Sequence, residues 1–217
     1  MIKAVIFDLD GTLIDTEKYY RIYWPRAVAE FGYTMTDEQA LSIRSLGRPF
    51  AMEWFRENID QNLDYWAVRD CRKALMEEFF KTHPIELKPG AIEILSFLRK
   101  RRICVALATA NEEERANRYL KELGLFEYFD RVICANMVEC GKPAGDIYAY
   151  AWRELGFEPS SCIAVEDSPN GIKSAYVAGC KPVFVPDQTD VSDEIRPLLY
   201  DRIENLLDLR RIVDTLV

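Results

Sequence analysis

Two aspartates stand two positions apart in FDLDGTLIDT, residues 7–16, where a short apolar run stops. A carboxylate is ionised at neutral pH, so Asp8 can serve as an oxygen nucleophile without a helping base. Asp10, two residues on, can share its side of the chain, protonate a leaving oxygen and later draw a proton from water. A lysine and a hydroxyl are the groups that would bind the oxygens of a transferring phosphoryl group, and Lys142 and Thr109 supply them. Asp167 would complete an all-oxygen site for Mg²⁺, a hard cation that favours such ligands. The metal would also screen the repulsion between a carboxylate and an anionic phosphate. Taken alone, the DxDG pair reads equally well as an ordinary turn. A calcium loop is excluded, because its sixth position would be Leu13 rather than Gly and its twelfth Tyr19 rather than Glu.

The elements that must position these groups are legible as apolar runs alternating with helical patterns, which indicates a parallel sheet. The expected strands are IKAVIF (2–7), ICVALA (103–108), RVICA (131–135), CIAV (162–165) and PVFV (182–185). Most are apolar throughout, as strands covered on both faces are. Helices are expected at 112–124 and 145–156, each ending on Gly, and at 169–179, which starts on Pro and ends on Gly. Three of the runs end directly on a polar group: AVIF on Asp8, VALA on Thr109 and CIAV on Glu166-Asp167. VICA is followed a few residues later by Gly141-Lys142-Pro143. Ligands of open α/β sheets bind at the carboxyl ends of the strands, so these groups converge if the strands are neighbours.

One interval is too long. A strand–helix–strand unit takes roughly 30 residues, yet the first strand ends near Phe7 and the next begins near Ile103. Residues 17–84 therefore read as an inserted helical cap, rich in charge and aromatics, with apolar residues three or four apart, as in Tyr20, Tyr23, Trp24 and Ala27. Residues 1–16 and 85–217 form the other unit. The fold class expected is α/β, a doubly wound parallel-sheet (Rossmann-like) core with an inserted helical cap domain. The tail, 190–217, is expected to hold a short element and a last helix from Asn205 to Leu216.

Composition narrows the function. A net charge of −8 argues against nucleic acid as the main partner. No apolar stretch approaches the length that crosses a bilayer, and the N-terminus does not read as a signal peptide. The six cysteines show no CxxC spacing, and Cys104, Cys134 and Cys162 fall in apolar runs as small hydrophobes. A reducing, cytoplasmic location is expected.

DxDGT at 8–12, LATAN at 107–111, GKP at 141–143 and VEDSPNGI at 165–172 resemble, in order and spacing, the four motifs of the haloacid dehalogenase superfamily. FDLDGTLIDT and EDSPNGI place the resemblance near the branch of β-phosphoglucomutase and phosphoglycolate phosphatase, and the insert resembles that branch's cap. The resemblance implies that Asp8 becomes an aspartyl-phosphate and that Asp10 is the general acid and base. It implies that Thr109, with the amides after it at Ala110 and Asn111, binds the phosphoryl group and that Lys142 neutralises it. Asp8, the carbonyl of Asp10 and Asp167 would hold Mg²⁺, with Glu166 joining them or supporting from just outside. Arg48, in SLGRP, would hold the anionic or hydroxylated remainder of the substrate, for which a planar five-donor fork is suited. The partner implied is a small phosphorylated metabolite, handled by a monomer or weak homodimer.

Each residue has a plainer reading. Arg48 or Lys142 alone would be a solvated surface cation. Thr109 would cap the helix that follows, and Glu166 and Asp167 would be cap and turn residues before Pro169. His83, the only histidine, lies in a connector, so the chemistry must run on carboxylates. A dehalogenase has little use for Asp10, and a phosphonate hydrolase needs a cap lysine and a different first motif. In β-phosphoglucomutase a histidine follows the first motif where Tyr20 stands here, which favours hydrolysis of a phosphate monoester over a mutase. A non-catalytic phosphometabolite-binding module is a further alternative. Lys142→Ala is expected to leave folding largely intact.

Overall fold

The computed structural model describes residues 1–216. Among them, one sheet of six parallel strands is built from β1 (Ala4–Phe7), β2 (Cys104–Thr109), β3 (Arg131–Cys134), β4 (Cys162–Glu166), β5 (Lys181–Phe184) and β6 (Asp201–Arg202). The spatial order is β3-β2-β1-β4-β5-β6. The chain builds outward from β1 on one side and then returns to build the other, so a crevice opens at the carboxyl ends of the central strands. Register sets what meets there. Phe7 pairs with Leu107 on one side and with Val165 on the other, which brings Asp8 level with Ala108 and Glu166 and one residue short of Thr109 and Asp167.

Four helices stand between β1 and β2: α1 (Glu17–Glu30), α2 (Asp37–Ser42), α3 (Phe50–Asn58) and α4 (Tyr65–Phe80). The chain leaves and re-enters the sheet layer at one place. Asp15 donates its amide to the Glu86 carbonyl at 2.8 Å, Lys88 donates to Leu13 at 2.9 Å, and Ile14 bridges Leu87 in antiparallel sense. The insert has a core of its own, with Val28, Phe55 and Val68 fully buried. The Phe55 ring lies 5.0 Å from Trp24 and 5.2 Å from Tyr65, so most of the cap aromatics are helix packing.

The remaining helices are α5 (Ala91–Lys100), α6 (Glu113–Glu122), α7 (Asp146–Leu155), α8 (Pro169–Val177) and α9 (Leu209–Leu216). Alternate strand residues face two different cores, which is why the runs are apolar throughout. Val5, Phe7, Val105, Leu107, Ile163 and Val165 pack with α5, α6 and α9. Ala4, Ile6, Ala106, Ala108 and Ala164 pack with α7 and Ala175 of α8. That second face is lined by small residues, and α7 fills it with the buried Tyr148.

The strands predicted from sequence are all present, shifted by a residue or two. Thr109 ends β2 and does not cap α6, whose N-cap is Glu112. The last helix starts later than Asn205: a tight turn at Leu206–Asp208, begun by the Asn205 side chain accepting from the Leu207 amide, precedes α9. β6 carried no apolar run because it is a two-residue edge strand of Asp and Arg. No helix among the described residues is long and apolar enough to cross a membrane. Phe55→Ala would leave a void at the centre of the insert, and a loss of about 3–5 kcal/mol is expected in urea unfolding.

Candidate active site

Lys142 sits in the loop before α7 and is only 1% exposed. A buried ammonium needs partners, and it has two: Nζ donates to Asp8 Oδ1 at 2.5 Å and to Glu166 Oε1 at 2.6 Å. Glu166 is otherwise occupied as well. Its Oε1 accepts from the Tyr148 hydroxyl at 2.6 Å and its Oε2 from Ser168 Oγ at 3.2 Å. Asp10 is bracketed by Thr16 on Oδ1 and Asn111 Nδ2 on Oδ2, each at 2.5 Å. Thr109 Oγ1 accepts from the Asn111 amide and from its Nδ2, both at 3.1 Å, so the hydroxyl proton stays available for a ligand. Ala110 lies between them and lines the same cleft.

The structure thus brings Asp8, Asp10, Thr109, Ala110, Asn111, Lys142, Glu166 and Asp167 together. Arg48 stands at the rim, where Nη2 donates to the Ala135 carbonyl at 3.3 Å and to Val138 at 3.4 Å. Glu166 and Asp167 do not cap α8, because Ser168 does, accepting from the Gly171 amide at 3.0 Å. His83 is exposed at the end of α4, stacked on Phe79, away from the cleft. The cap closes on the lysine loop through main chain: Gly47 donates to the Lys142 carbonyl and Gly141 to that of Arg48, both at 2.8 Å. Only glycines permit this approach, since a Cβ on Gly47 would lie 2.6 Å from Gly141 Cα.

Asp8, Glu166 and Asp167 each place a carboxylate oxygen within 4.8 Å of the others. Asp8 Oδ2 and Asp167 Oδ2 are buried and accept no hydrogen bond, and Arg44 Nη1 lies 3.6 Å from the latter. Burial pushes the Asp8 carboxyl up to about 8 despite the pull of Lys142. Burial, then the charge of Glu17, raises Asp167 well above the usual carboxylate range. Burial among other acids thus opposes the charge on Asp8, and a further positive charge beside it would favour the ionised form. A divalent cation fits this donor set of hard, unsatisfied oxygens. Asp8 and Asp167 hold the open oxygens, while Glu166, the third acid of the cluster, also binds Lys142, Tyr148 and Ser168.

Sequence reasoning passed over one acid here. Glu17, at the start of α1, is buried with an unpartnered Oε2 beside Gly11 and Asp167. Gly11 has φ +79°, and a Cβ there would lie 2.4 Å from Asp167 Oδ2. Tyr20 donates its hydroxyl to Asn111 Oδ1 at 3.3 Å. The one available signal was position, an acid and a tyrosine one helical turn apart immediately after the first motif.

The model of the haloacid dehalogenase-like hydrolase family matches residues 2–179. The chain belongs to the haloacid dehalogenase-like hydrolases. Among members of this family, it is 31% identical over 188 residues to a phosphorylated carbohydrates phosphatase of Thermotoga maritima, covering 84% of each chain. It is 28% identical over 184 residues to the fructose-1-phosphate phosphatase YqaB of Escherichia coli, covering 84% of this chain and 95% of that one. The structure of CbbY from Rhodobacter sphaeroides in complex with phosphate has the same fold, with TM-score 0.78, 24% identity and 96% of both chains covered.

Two outcomes test this hydrolase site. Asp8 gains its proton at higher pH in the folded protein than in the unfolded chain, where carboxyls titrate near 3.8. With a chelator present, stability is therefore expected to fall as pH rises from about 4 to about 8 and to level off above. Added Mg²⁺ should flatten that decline in thermal melts across the pH range. Lys142→Ala would leave Asp8 and Glu166 buried without a counter-charge, so the expectation of intact folding gives way to a loss of about 3–5 kcal/mol, measured by denaturant unfolding.

Proposed function

We propose that the chain is an Mg²⁺-dependent phosphatase that hydrolyses small phosphomonoesters, sugar phosphates or similar metabolites, through a phosphoryl group carried on Asp8. The observation that carries the reading is the buried Lys142 on one oxygen of Asp8, while the other oxygen accepts from no donor and the Asp167 carboxylate lies close by. The two phosphatases it resembles act, by their names, on phosphorylated carbohydrates and fructose 1-phosphate.

Phosphoryl oxygens are bound by the Thr109 hydroxyl, by the amides that follow it, and by Lys142. The cation, when bound, supplies positive charge that holds Asp8 ionised and lowers the repulsion between it and the phosphate. An Asp8 oxygen bonds to phosphorus as the ester P–O bond breaks. Asp10, whose proton affinity is raised by burial and restrained by Thr16 and Asn111, hands its proton to the leaving alcohol. Water then gives a proton to the Asp10 carboxylate and attacks the acyl phosphate, which frees inorganic phosphate and restores Asp8. The main-chain seal between Gly47–Arg48 and Gly141–Lys142 keeps bulk water away during the first step. Tyr20, at the position where the mutase has a histidine, donates to Asn111, and this favours hydrolysis. Residues 17–84 act as the cap and 1–16 with 85–217 as the catalytic core.

Asp8→Asn is expected to lower turnover of p-nitrophenyl phosphate with Mg²⁺ by more than about ten-thousandfold while the fold persists by circular dichroism. Retained turnover would exclude Asp8 as nucleophile. Conversion of β-glucose 1-phosphate primed with its bisphosphate, rather than release of phosphate, would make the enzyme a mutase.

A further inference from the structure

The Asn111 side-chain amide has two ways to point, and the difference matters to Asp10. As it stands, Nδ2 donates to Asp10 Oδ2 at 2.5 Å and to Thr109 Oγ1 at 3.1 Å. Turned over, the amide would put Oδ1 in that place, and neither neighbour forbids this while Asp10 is protonated. Thr109 is a hydroxyl, which donates as readily as it accepts, and a carboxylic acid donates its proton to a carbonyl oxygen. In that orientation the Asp10 proton would go to Asn111 rather than to a leaving oxygen. General acid catalysis here therefore depends on what holds the amide the right way round.

Tyr20 does so. Its hydroxyl donates to Asn111 Oδ1 at 3.3 Å and is the one hydrogen-bond partner of that oxygen among the described residues. The hydroxyl is itself directed. Arg72 and Arg115 both donate to the Tyr20 oxygen, and a phenol whose acceptor sites are filled turns its own proton towards another acceptor. Burial raises the Tyr20 phenol above its ordinary value, so the donor keeps its proton. The arrangement also accounts for Arg72, a 5% exposed guanidinium with no ion pair among the described residues. It lies 4.6 Å from the ring centroids of Tyr20 and Trp24, and its donors meet the Tyr20 hydroxyl and, at 3.5 Å, the Met76 sulfur. Arg115 is fixed from its other side by Glu77 at 2.9 Å.

We propose that Tyr20, anchored by Arg72 and Arg115, is a positioning residue for general acid catalysis: it fixes the Asn111 amide with Nδ2 on Asp10, so that the Asp10 proton stays available to the leaving alcohol. The inference rests on the hydrolytic reading of the Asp8 centre. Its signature is selective, because an alkoxide needs that proton to leave and p-nitrophenolate does not.

Leaving groups test it. The wild type is expected to release phosphate from fructose 1-phosphate and from p-nitrophenyl phosphate in Mg²⁺. In Tyr20→Phe, kcat/KM for fructose 1-phosphate should fall at least about tenfold further than for p-nitrophenyl phosphate, as misplacement of a reacting group predicts, with KM little changed. Asn111→Leu, which keeps the main-chain amide, should show the same bias. The double variant should lose no more than Asn111→Leu alone, since the two side chains act in series. Equal losses on both esters, or losses that multiply in the double variant, would overturn the positioning role. Should Tyr20→Phe fail to fold, Arg115→Gln must show the bias, and an unbiased loss there is equally fatal. Heteronuclear NMR without substrate separates the two claims. The Asn111 side-chain amide protons, identified by their disappearance in Asn111→Leu, should exchange with water severalfold faster in Tyr20→Phe. Faster exchange with no phosphate release by the wild type would remove the phosphatase reading and keep the positioning. Unchanged exchange would remove the positioning.

Discussion

An ammonium with no access to water, fixed between two carboxylates, is the interaction on which the rest of this structure depends. Lys142 holds Asp8 at the end of β1 and Glu166 at the end of β4, so the two central strands are tied at the point where like charges would drive them apart. Desolvating such a group is costly, and only complete satisfaction of its donors and of the acids makes it tolerable. Tyr148 and Ser168 complete the Glu166 side. On the Asp8 side one oxygen is left open. The imbalance is what gives the site an appetite for positive charge, and hence for the metal-assisted chemistry of its family.

The same constraint reaches into the cap. α1 begins directly after the loop that carries the aspartates, so Glu17 and Tyr20 are at once helix residues and walls of the site. Ion pairs then cross the cleft in both directions: Glu112 of the core takes Arg69 and Lys73 of the cap, while Glu77 of the cap takes Arg115 and Arg118 of the core. These acids are about half exposed, and exposed pairs of this kind contribute little each to stability. Their arrangement orients the cap, while the close packing of Gly47 on Gly141 sets how near it comes.

Which residues would meet at the candidate site was largely legible because it depends on local sequence. A strand buried on both faces leaves an unbroken apolar run, and the first polar residue after it marks the carboxyl edge, which is how Asp8, Thr109 and Glu166-Asp167 declare themselves. What tertiary contact decides was not legible. Glu17 reads as a helix start until Gly11 and Asp167 are seen against it. Arg72 reads as one charge among many on an amphipathic helix until its neighbours prove to be aromatic rings rather than an acid. Thr109 was assigned a capping alternative because a threonine before a helix is ordinary, whereas its strand register is visible only in pairing with Cys134. α5 and β6 went unassigned for opposite reasons: one lay within an interval already explained by the insert, the other is too short and polar to leave a pattern.

The antiparallel bridge between Ile14 and Leu87, with its flanking bonds at Asp15 and Lys88, brings the two ends of the insert side by side. The sheet therefore meets everything between them as a closed stem, and its strand order is indifferent to how many helices the stem carries. Evolution can exchange or resize the lid on such a stem without re-pairing a strand.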